Sequence, residues 1–181
     1  MSNVLVTGAD GFIGSHLVQR LVSSGFNVRA FCIYNSLGSW GWLDHINKDI
    51  QNNIEVFAGD IRDPQSVNNS LSGVDRIIHL AALIGIPYSY LSPLAYLKTN
   101  LEGTYNILES AKNCKINNIL ITSTSEVYGS AVKIPIDENH RLLGQSPYSA
   151  SKAAADMIVN SYNHSYKLNV IGNGNICFIF S

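Results

Sequence analysis

The stretch "TGADGFIG", residues 7–14, decides the fold, because its three glycines stand where a strand passes into a helix. The run before it, "NVLV" at residues 3–6, is short and apolar, as buried strands are. The run after it, "FIGSHLVQRLVSSG", repeats apolar residues at the i, i+4 spacing of a helix with one buried face. Such a turn is where a βαβ unit binds the pyrophosphate of a dinucleotide. The alternative is a glycine-rich turn without a ligand.

Composition favours one globular domain with a single core, since the chain has 181 residues, of which 46% are hydrophobic and 14% charged. A net charge of -1 gives no broad electrostatic case for nucleic acid or an anionic membrane. Cys32, Cys114 and Cys177 form no CxxC pair, so we expect neither a metal site nor a disulfide framework. No leader and no apolar run near the ~20 residues of a bilayer span is present, and a cytoplasmic protein is expected.

Apolar segments and helical patterns alternate along the rest of the chain. This order predicts an α/β fold with a Rossmann-like doubly wound parallel sheet. The further predicted strands are residues 27–33, 53–59, 75–82 and 117–123, and one helix is predicted over 92–113.

Two long irregular stretches, 34–52 and 124–147, follow strand ends on the side where such sheets bind ligands. The first holds Trp40 and Trp42, an aromatic pair that in a loop typically covers the edge of the core.

The second stretch leads into "YSASK", in which Tyr148 and Lys152 lie four residues apart and so share one face of a helix. An ammonium group near a phenol favours the phenolate, and we therefore expect a lowered pKa that makes Tyr148 a usable base. The spacing alone is common. Its weight comes from its place after five strands and after the hydroxyl-rich strand end of Ser123, Thr124 and Ser125.

Five motifs together resemble the extended short-chain dehydrogenases/reductases, namely the nucleotide-sugar epimerases and dehydratases. They are "TGADGFIG", "GDIRD" at 59–63, "HLAA" at 79–82, "STSEVYG" at 123–129 and "YSASK" at 148–152. The resemblance covers residues 3 to about 166 and is closest to the 4,6-dehydratases of GDP-mannose type or of the legionaminic amino-sugar pathway. It implies an NAD(P)-dependent enzyme, cytoplasmic and homo-oligomeric, that acts on a UDP-, GDP- or dTDP-hexose.

The resemblance also assigns residues to the site. The implied cofactor contacts are Gly8, Gly11, Phe12, Ile13, Gly14, Asp60, Ile61, Leu80, Ala81, Ala82, Ser123, Tyr148 and Lys152. The implied catalytic residues are Thr124, Glu126, Tyr148 and Lys152, and the implied substrate contacts are Ser125 and Glu126. Asp60 has an ordinary alternative as a turn acid before the helix cap at Asp63.

Glu126 bears on the reaction, because family members that only epimerise C4 usually lack an acid at this place. The triplet "TSE" resembles the 4,6-dehydratases of GDP-mannose type and also the UDP-glucuronate decarboxylases. In a dehydratase a base must remove the C5 proton while the C6 hydroxyl departs as water, and Glu126 is suited to this role. The residue before the glutamate is usually aspartate in the thymidine-diphosphoglucose enzymes, whereas here it is Ser125. A solvated loop glutamate is the simpler alternative.

Three functions therefore compete: a 4,6-dehydratase, an epimerase or decarboxylase on the same scaffold, and a non-catalytic dinucleotide-binding remnant. The cofactor is NAD or NADP, since the second strand ends in Tyr34, Asn35 and Ser36, where an NAD-specific relative usually has an acid.

The end of the chain departs from the family pattern after the helix that carries Lys152, which we expect to end near Tyr166. We expect an NAD(P)-binding domain over 1–166 and, over 167–181, an atypical tail in place of the sixth strand and of most of the substrate subdomain. Val170 and Ile171 are able to begin a sixth strand, but the glycines and asparagines that follow are poor strand formers. The 181-residue chain is therefore expected to be truncated and inactive by itself.

Overall fold

The computed structural model describes residues 1–172, and a six-stranded sheet with all strands parallel forms its centre. The strands are β1 (Asn3–Thr7), β2 (Asn27–Ile33), β3 (Ile54–Gly59), β4 (Arg76–His79), β5 (Ile119–Ile121) and β6 (Val170–Ile171). Their order is β3-β2-β1-β4-β5-β6, that of the doubly wound dinucleotide-binding sheet, which confirms the predicted fold class. The order reverses between β1 and β4, and the crevice at the carboxyl ends of these strands is where such folds bind ligands.

Helices cover both faces of the sheet, because the connections between parallel strands must cross over it. They are α1 (Phe12–Ser23), α2 (Lys48–Gln51), α3 (Pro64–Ser70), α4 (Ile86–Leu91), α5 (Pro93–Tyr96), α6 (Gly103–Asn113) and α7 (Pro147–Tyr166). Alternate residues of β1 enter different core layers: Val6 packs in the layer that contains Val18 of α1, and Leu5 packs with Ile107 of α6 and Val159 of α7.

The register of the central strands brings their ends to one level. Thr7 pairs with Phe31 on one side and His79 on the other, and His79 pairs in turn with Ile121. The segments that follow β1, β4 and β5 therefore lie along a single edge of the sheet. They begin at Gly8, Leu80 and Thr122.

The predicted helix over 92–113 is a continuous rod with three parts. A π-helical segment, Leu97–Glu102, joins α5 to α6. Within it the buried Asn100 accepts a hydrogen bond from the backbone N–H of Leu83 at 2.8 Å and donates to the Leu83 carbonyl at 2.9 Å. The π turn thus presents one amide side chain to the segment after β4, and α4 in that segment has no counterpart in the sequence prediction.

The predicted irregular stretch 34–52 contains a 3-10 turn, Gly41–His45, and the short helix α2. Trp40 packs against the core layer of α1, as an edge-covering aromatic does. Trp42 is half exposed and meets the ring of Phe12 edge-on, with 5.2 Å between the ring centroids. The edge-covering interpretation therefore holds for Trp40 and is wrong for Trp42.

The long helix α7 ends at Tyr166, as the sequence predicts. β6 then pairs with β5, so a short sixth strand lies within the segment 167–181 that the sequence assigns to an atypical tail. Residues 173–181, with Cys177, lie outside the described part. Over residues 1–172 no helix combines the length and apolar character that a bilayer span requires.

Candidate active site

The glycine turn after β1 owes its glycines to two different constraints. Gly8 has φ +67°, and a Cβ on it would lie 2.8 Å from the backbone nitrogen of Ala81. A Cβ on Gly14 would lie 2.1 Å from the carbonyl oxygen of Gly8, so close packing of helix on strand excludes any side chain there. Gly11 is different, because its Cβ would approach only the Gly8 carbonyl, at 3.3 Å. The fold itself therefore requires glycine at two positions, whereas at Gly11 a Cβ would make one tight contact and the backbone borders the cleft.

The N-terminus of α1 offers unused hydrogen-bond donors to that space. Gly11 is the residue before the first turn, and among the described residues no side chain caps this helix end. The first N–H groups of a helix have no partner within it, and together with the helix dipole they form an anion-binding site. A diphosphate is the group that such a turn accommodates.

A cleft of about 1050 Å³ runs along the carboxyl edge of the sheet beside this turn. Twelve of the thirteen predicted cofactor residues line it: Gly8, Gly11, Phe12, Ile13, Gly14, Asp60, Ile61, Leu80, Ala81, Ala82, Ser123 and Lys152. The exception is Tyr148, which is buried with only 7% of its surface exposed. Thr124 and Ser125 also line the cleft. The cleft is large enough for a dinucleotide, and its residues fit one.

A chain of hydrogen bonds under the turn holds the ends of β1 and β4 together. The hydroxyl of Thr104 donates to the carbonyl of Asn100 at 2.6 Å, so its oxygen accepts from Nε2–H of His79 at 3.2 Å. Nδ1 of His79 then accepts from the hydroxyl of Thr7 at 2.7 Å. Burial, with a smaller contribution from the charge of Lys152, lowers the pKa of His79 to about 3. His79 is therefore neutral, and both ring nitrogens are satisfied.

Thr7 extends this chain to the floor of the cleft. Its hydroxyl oxygen accepts hydrogen bonds from the backbone N–H groups of Leu80 and Ala81, each at 3.2 Å. These residues are two of the predicted cofactor contacts. The buried histidine thus supports the cofactor side of the site without lining the cleft.

Asp60 lies at the end of β3 and its carboxylate is paired. Oδ1 accepts from Nε and from the backbone N–H of Arg62, both at 2.9 Å, and hydrogen bonding to Arg62 lowers the pKa of the Asp60 carboxyl. The helix cap of α3 is Asp63, as predicted. Asp60 is thus a turn acid that also borders the cleft. Its contact with the adenine of a cofactor stays a prediction.

Two carboxylates that the sequence prediction missed lie near the end of β2. Asp10 lines the cleft, and its carboxyl hydrogen-bonds to the backbone at Ile33, the last residue of β2. Burial and the charges of Asp10 and Asp44 raise the pKa of the Cys32 thiol, which places both acids near this strand end. Tyr34, Asn35 and Ser36 supply no acid, but the fold brings one from the glycine turn.

The catalytic candidates lie where β5 faces α7. Lys152 is buried, and its Nζ donates a hydrogen bond of 2.6 Å to the carbonyl of Thr122. The phenol of Tyr148 hydrogen-bonds to the side chain of Thr124, and this bond favours the phenolate.

The expected low pKa of Tyr148 is wrong for this structure. Burial raises the pKa of the phenol, and the nearby charges of Glu126 and Asp156 raise it further, whereas the bond to Thr124 opposes them. The ammonium group of Lys152 donates to a backbone carbonyl, so the i, i+4 spacing does not by itself lower the pKa of the Tyr148 phenol.

Glu126 and Ser125 belong to a 3-10 turn, Ser125–Tyr128, that begins directly after Thr124. The Thr124 hydroxyl accepts from the backbone N–H of Glu126 at 3.3 Å and so fixes the start of the turn. Both residues are exposed. Glu126 is not among the residues that line the cleft, but its charge reaches the Tyr148 phenol, so the carboxylate lies near the cleft wall that Thr124 and Ser125 form.

The sheet order, the glycine turn and the Tyr148–Lys152 pair define an NAD(P)-binding domain of the epimerase/dehydratase class. The family model "GDP-mannose 4,6 dehydratase" matches residues 5–178, and the chain belongs to this family.

Relatives and solved structures agree with this class. A dTDP-D-glucose 4,6-dehydratase of Dictyostelium discoideum is 32% identical, over 94% of this chain and 42% of its own length. A dTDP-glucose 4,6-dehydratase of Streptomyces venezuelae, solved with NAD bound, has a TM-score of 0.85 and 32% identity over 94% of this chain and 54% of its own. A UDP-glucose 4-epimerase of Thermotoga maritima, solved with UDP-glucose, has a TM-score of 0.83 and 29% identity over 94% of this chain and 54% of its own. The chain thus spans about half the length of these relatives.

Proposed function

We propose that this chain is the NAD(P)-binding and catalytic part of a nucleotide-sugar 4,6-dehydratase. The observation that carries the proposal is the arrangement at the end of β5. The Tyr148 phenol is hydrogen-bonded to Thr124, Lys152 lies one helical turn further along α7, and the charge of Glu126 reaches the same phenol. A hydroxyl group, a phenol and an exposed carboxylate beside a dinucleotide cleft are the groups that oxidation followed by elimination needs.

Residues around the glycine turn and the end of β3 would hold the cofactor. The free N–H groups at the start of α1 and the space beside Gly11 suit the pyrophosphate, and Asp60 and Ile61 border the region proposed for the adenine. When bound, the nicotinamide accepts a hydride from the sugar and later returns it. Ala81, Ala82 and Ser123 line the middle of the cleft, where they exclude water from that exchange.

Tyr148 is proposed as the group that takes the proton of the C4 hydroxyl as C4 is oxidised to a ketone. Thr124 orients the same hydroxyl and, through its bond to Tyr148, favours the phenolate form that can accept the proton. Burial and the charge of Glu126 oppose ionisation and keep the phenol pKa high. We therefore expect the rate of C4 oxidation to rise with pH above neutrality, as the phenolate fraction grows.

Glu126 is proposed to act in the elimination step. The 4-keto group acidifies the C5 hydrogen, the Glu126 carboxylate removes that proton, and the C6 hydroxyl then departs as water after receiving a proton from the same carboxyl group. Ser125, in the position before it, has no ionisable group, so one residue serves both transfers. Return of the hydride to C6 and uptake of a proton from solvent at C5 give a 4-keto-6-deoxy sugar, and Tyr148 releases to solvent the proton that it took from the C4 hydroxyl.

An epimerase remains the second candidate, because the Thermotoga maritima structure shares the fold at a similar level. A UDP-glucuronate decarboxylase and a non-catalytic dinucleotide-binding protein are the third and fourth. Glu126 favours the dehydratase, since an exposed carboxylate beside the catalytic phenol has no role in an epimerisation at C4 that only removes and returns hydride. Homo-oligomerisation and a cytoplasmic location stay predictions.

The test is product analysis by mass spectrometry. The purified protein is incubated with NAD or NADP and a panel of UDP-, GDP- and dTDP-linked hexoses and UDP-glucuronate, beside a full-length relative with the same five motifs. Loss of one water from one of these sugars supports the dehydratase, an isomer of unchanged mass supports the epimerase, and loss of carbon dioxide from a UDP-uronate supports the decarboxylase. Cofactor binding with no turnover of any sugar by either protein would contradict an enzymatic role.

A further inference from the structure

Asp156 is a buried carboxylate on α7 that no motif of the site includes. It is 3% exposed, and its Oδ2 accepts a hydrogen bond of 2.5 Å from the hydroxyl of Ser123. Its Oδ1 is buried without a hydrogen-bond partner among the described residues. A half-satisfied buried carboxylate is costly, so its retention calls for a role beyond packing.

Lys152 lies one turn before Asp156 on the same face of α7. Burial lowers the pKa of the Lys152 ammonium, and the charge of Asp156 opposes this shift. In return the charge of Lys152 lowers the pKa of Asp156 against the effect of burial. The other titratable groups in reach of the pair are Tyr148 on α7 and the neutral His79 on β4. Asp156 is thus a buried carboxylate one helical turn from the Lys152 ammonium, and the two groups act on each other through their charges while each is hydrogen-bonded to a different residue after β5.

Three residues spaced four apart on α7 hold three consecutive residues after β5. Tyr148 hydrogen-bonds to Thr124, Lys152 donates to the carbonyl of Thr122, and Asp156 accepts from Ser123. Each contact fixes the strand end against the helix. Together they leave little freedom for the segment that carries Thr124 and leads to Glu126.

We propose that Asp156 is the positioning residue of this site: it anchors Ser123, it supplies the negative charge that keeps the buried Lys152 an ammonium, and it thereby sets the Thr124–Tyr148 contact. The inference rests on the roles proposed above for Tyr148 and Lys152. It concerns the charge state and geometry of the site rather than the sugar, so it applies to any reaction that this pair performs.

Two matched variants separate the two functions of the carboxyl group. Asp156→Asn removes the charge but keeps an oxygen that accepts from Ser123, whereas Ser123→Ala removes the hydrogen bond and keeps the charge. The readout is the pKa of Lys152, from the pH dependence of its Cε and Nζ resonances in protein with labelled lysine, assigned with Lys152→Arg. We expect Asp156→Asn to lower this pKa by about one unit or more and Ser123→Ala to lower it by less. An unchanged Lys152 pKa in Asp156→Asn would overturn the proposal.

A measurement on the wild-type protein decides the matter where a variant fails to fold. The Cγ resonance of Asp156 reports its protonation, and the Lys152 resonances should show an inflection at the same pH, because the two charges act on each other. Independent titration of the two groups would contradict the pairing. Neither readout uses turnover, so a failure of the dehydratase proposal and a failure of this one are distinguishable.

Discussion

A buried titratable side chain contacts each of the two functional regions: His79 lies beneath the turn before α1, and Asp156 lies beside the strand end that faces α7. The two side chains differ in how fully they are hydrogen-bonded. Under the glycine turn, His79 is neutral and both of its ring nitrogens are hydrogen-bonded. Beside the catalytic residues, Asp156 has one oxygen bonded to Ser123 and one without a partner among residues 1–172. The first region is built to be rigid, and the second keeps a charge where the chemistry is proposed.

We expect the largest effect from Gly11→Val, which tests the cofactor-binding role of the glycine turn, and Gly14→Ala serves as the comparison variant. At Gly11 φ is -78°, which any residue adopts, and a Cβ would approach one carbonyl oxygen at 3.3 Å, so a shift of a few tenths of an ångström should let Gly11→Val fold. Its side chain would fill the space proposed for the pyrophosphate, and we expect NADH affinity to fall about a hundredfold or more by calorimetry. Gly14→Ala should instead lose stability, because its Cβ would collide with the Gly8 carbonyl. Wild-type NADH affinity in Gly11→Val would place the cofactor elsewhere.

The rigidity of the first region is tested by His79→Leu. This change removes the two buried hydrogen bonds of the imidazole to Thr7 and Thr104, and it should lower the free energy of unfolding by about 1–3 kcal/mol. Urea denaturation at neutral pH measures the loss, and His164→Ala, at an exposed position of α7, is the control. Equal stability of His79→Leu and wild type would show that the network is dispensable.

The contributions of His79 and Asp156 to the free energy of unfolding change in opposite directions as the pH falls. The pKa of His79 falls on folding from 6.5 to about 3, so its contribution to stability is lost as the pH falls below 6.5. The pKa of Asp156 rises on folding from 3.8 to about 6, chiefly through burial, so its contribution grows as the pH falls from 6 to 3.8. Each slope is about 1.4 kcal/mol per pH unit at most.

Asp156→Asn should therefore make the protein lose stability more steeply between pH 6 and 3.8, since the loss at His79 is no longer offset. His79→Leu should have a shallower or reversed dependence over the same range. Urea unfolding at a series of pH values distinguishes the two variants. Parallel curves for both would mean that neither group is coupled to folding as described.

The smallest expected effect concerns the choice between NAD and NADP. Asp10 brings a negative charge to the cleft near the end of β2, and a 2′-phosphate would be repelled there. We predict tighter binding of NADH than of NADPH, and a reduction of that preference by about tenfold in Asp10→Asn. Asp49→Asn, on the exposed side of α2, makes the same change of charge as a control. An unaltered preference in Asp10→Asn would remove Asp10 from the ribose site.

Regular patterns in the sequence predicted the parts of the fold that depend on local periodicity. The bounds of β2 and the end of α7 at Tyr166 agree with the structure, because apolar strands and a long capped helix are local features. The π segment around Asn100 was missed, since the side chain of Asn100 bonds to Leu83, which lies 17 residues away in the sequence. The short α4 was missed as well.

The sequence predicted which residues come together at the site better than it predicted their pKa values. Motif order brought the glycine turn, Ser123, Thr124 and Lys152 to one cleft. The predicted lowering of the Tyr148 pKa was wrong, because burial raises this pKa and the ammonium group of Lys152 is bonded to the Thr122 carbonyl instead of to the phenol. Asp156 does have a sequence signal, as an acid four residues after Lys152 and so on the same helical face, but its partner Ser123 is 33 residues away.

Glu126 is proposed to perform the elimination on a sugar that Tyr148 has helped to oxidise, and the absorbance of the cofactor in one variant tests this step. In a full-length relative with the same motifs, the glutamate equivalent to Glu126 is changed to glutamine, and the absorbance of reduced nicotinamide is followed after addition of nucleotide sugar. Oxidation at C4 should proceed while elimination is blocked, so reduced cofactor should accumulate without a 6-deoxy product. Formation of the 4-keto-6-deoxy sugar at the wild-type rate, with no such accumulation, would contradict the account.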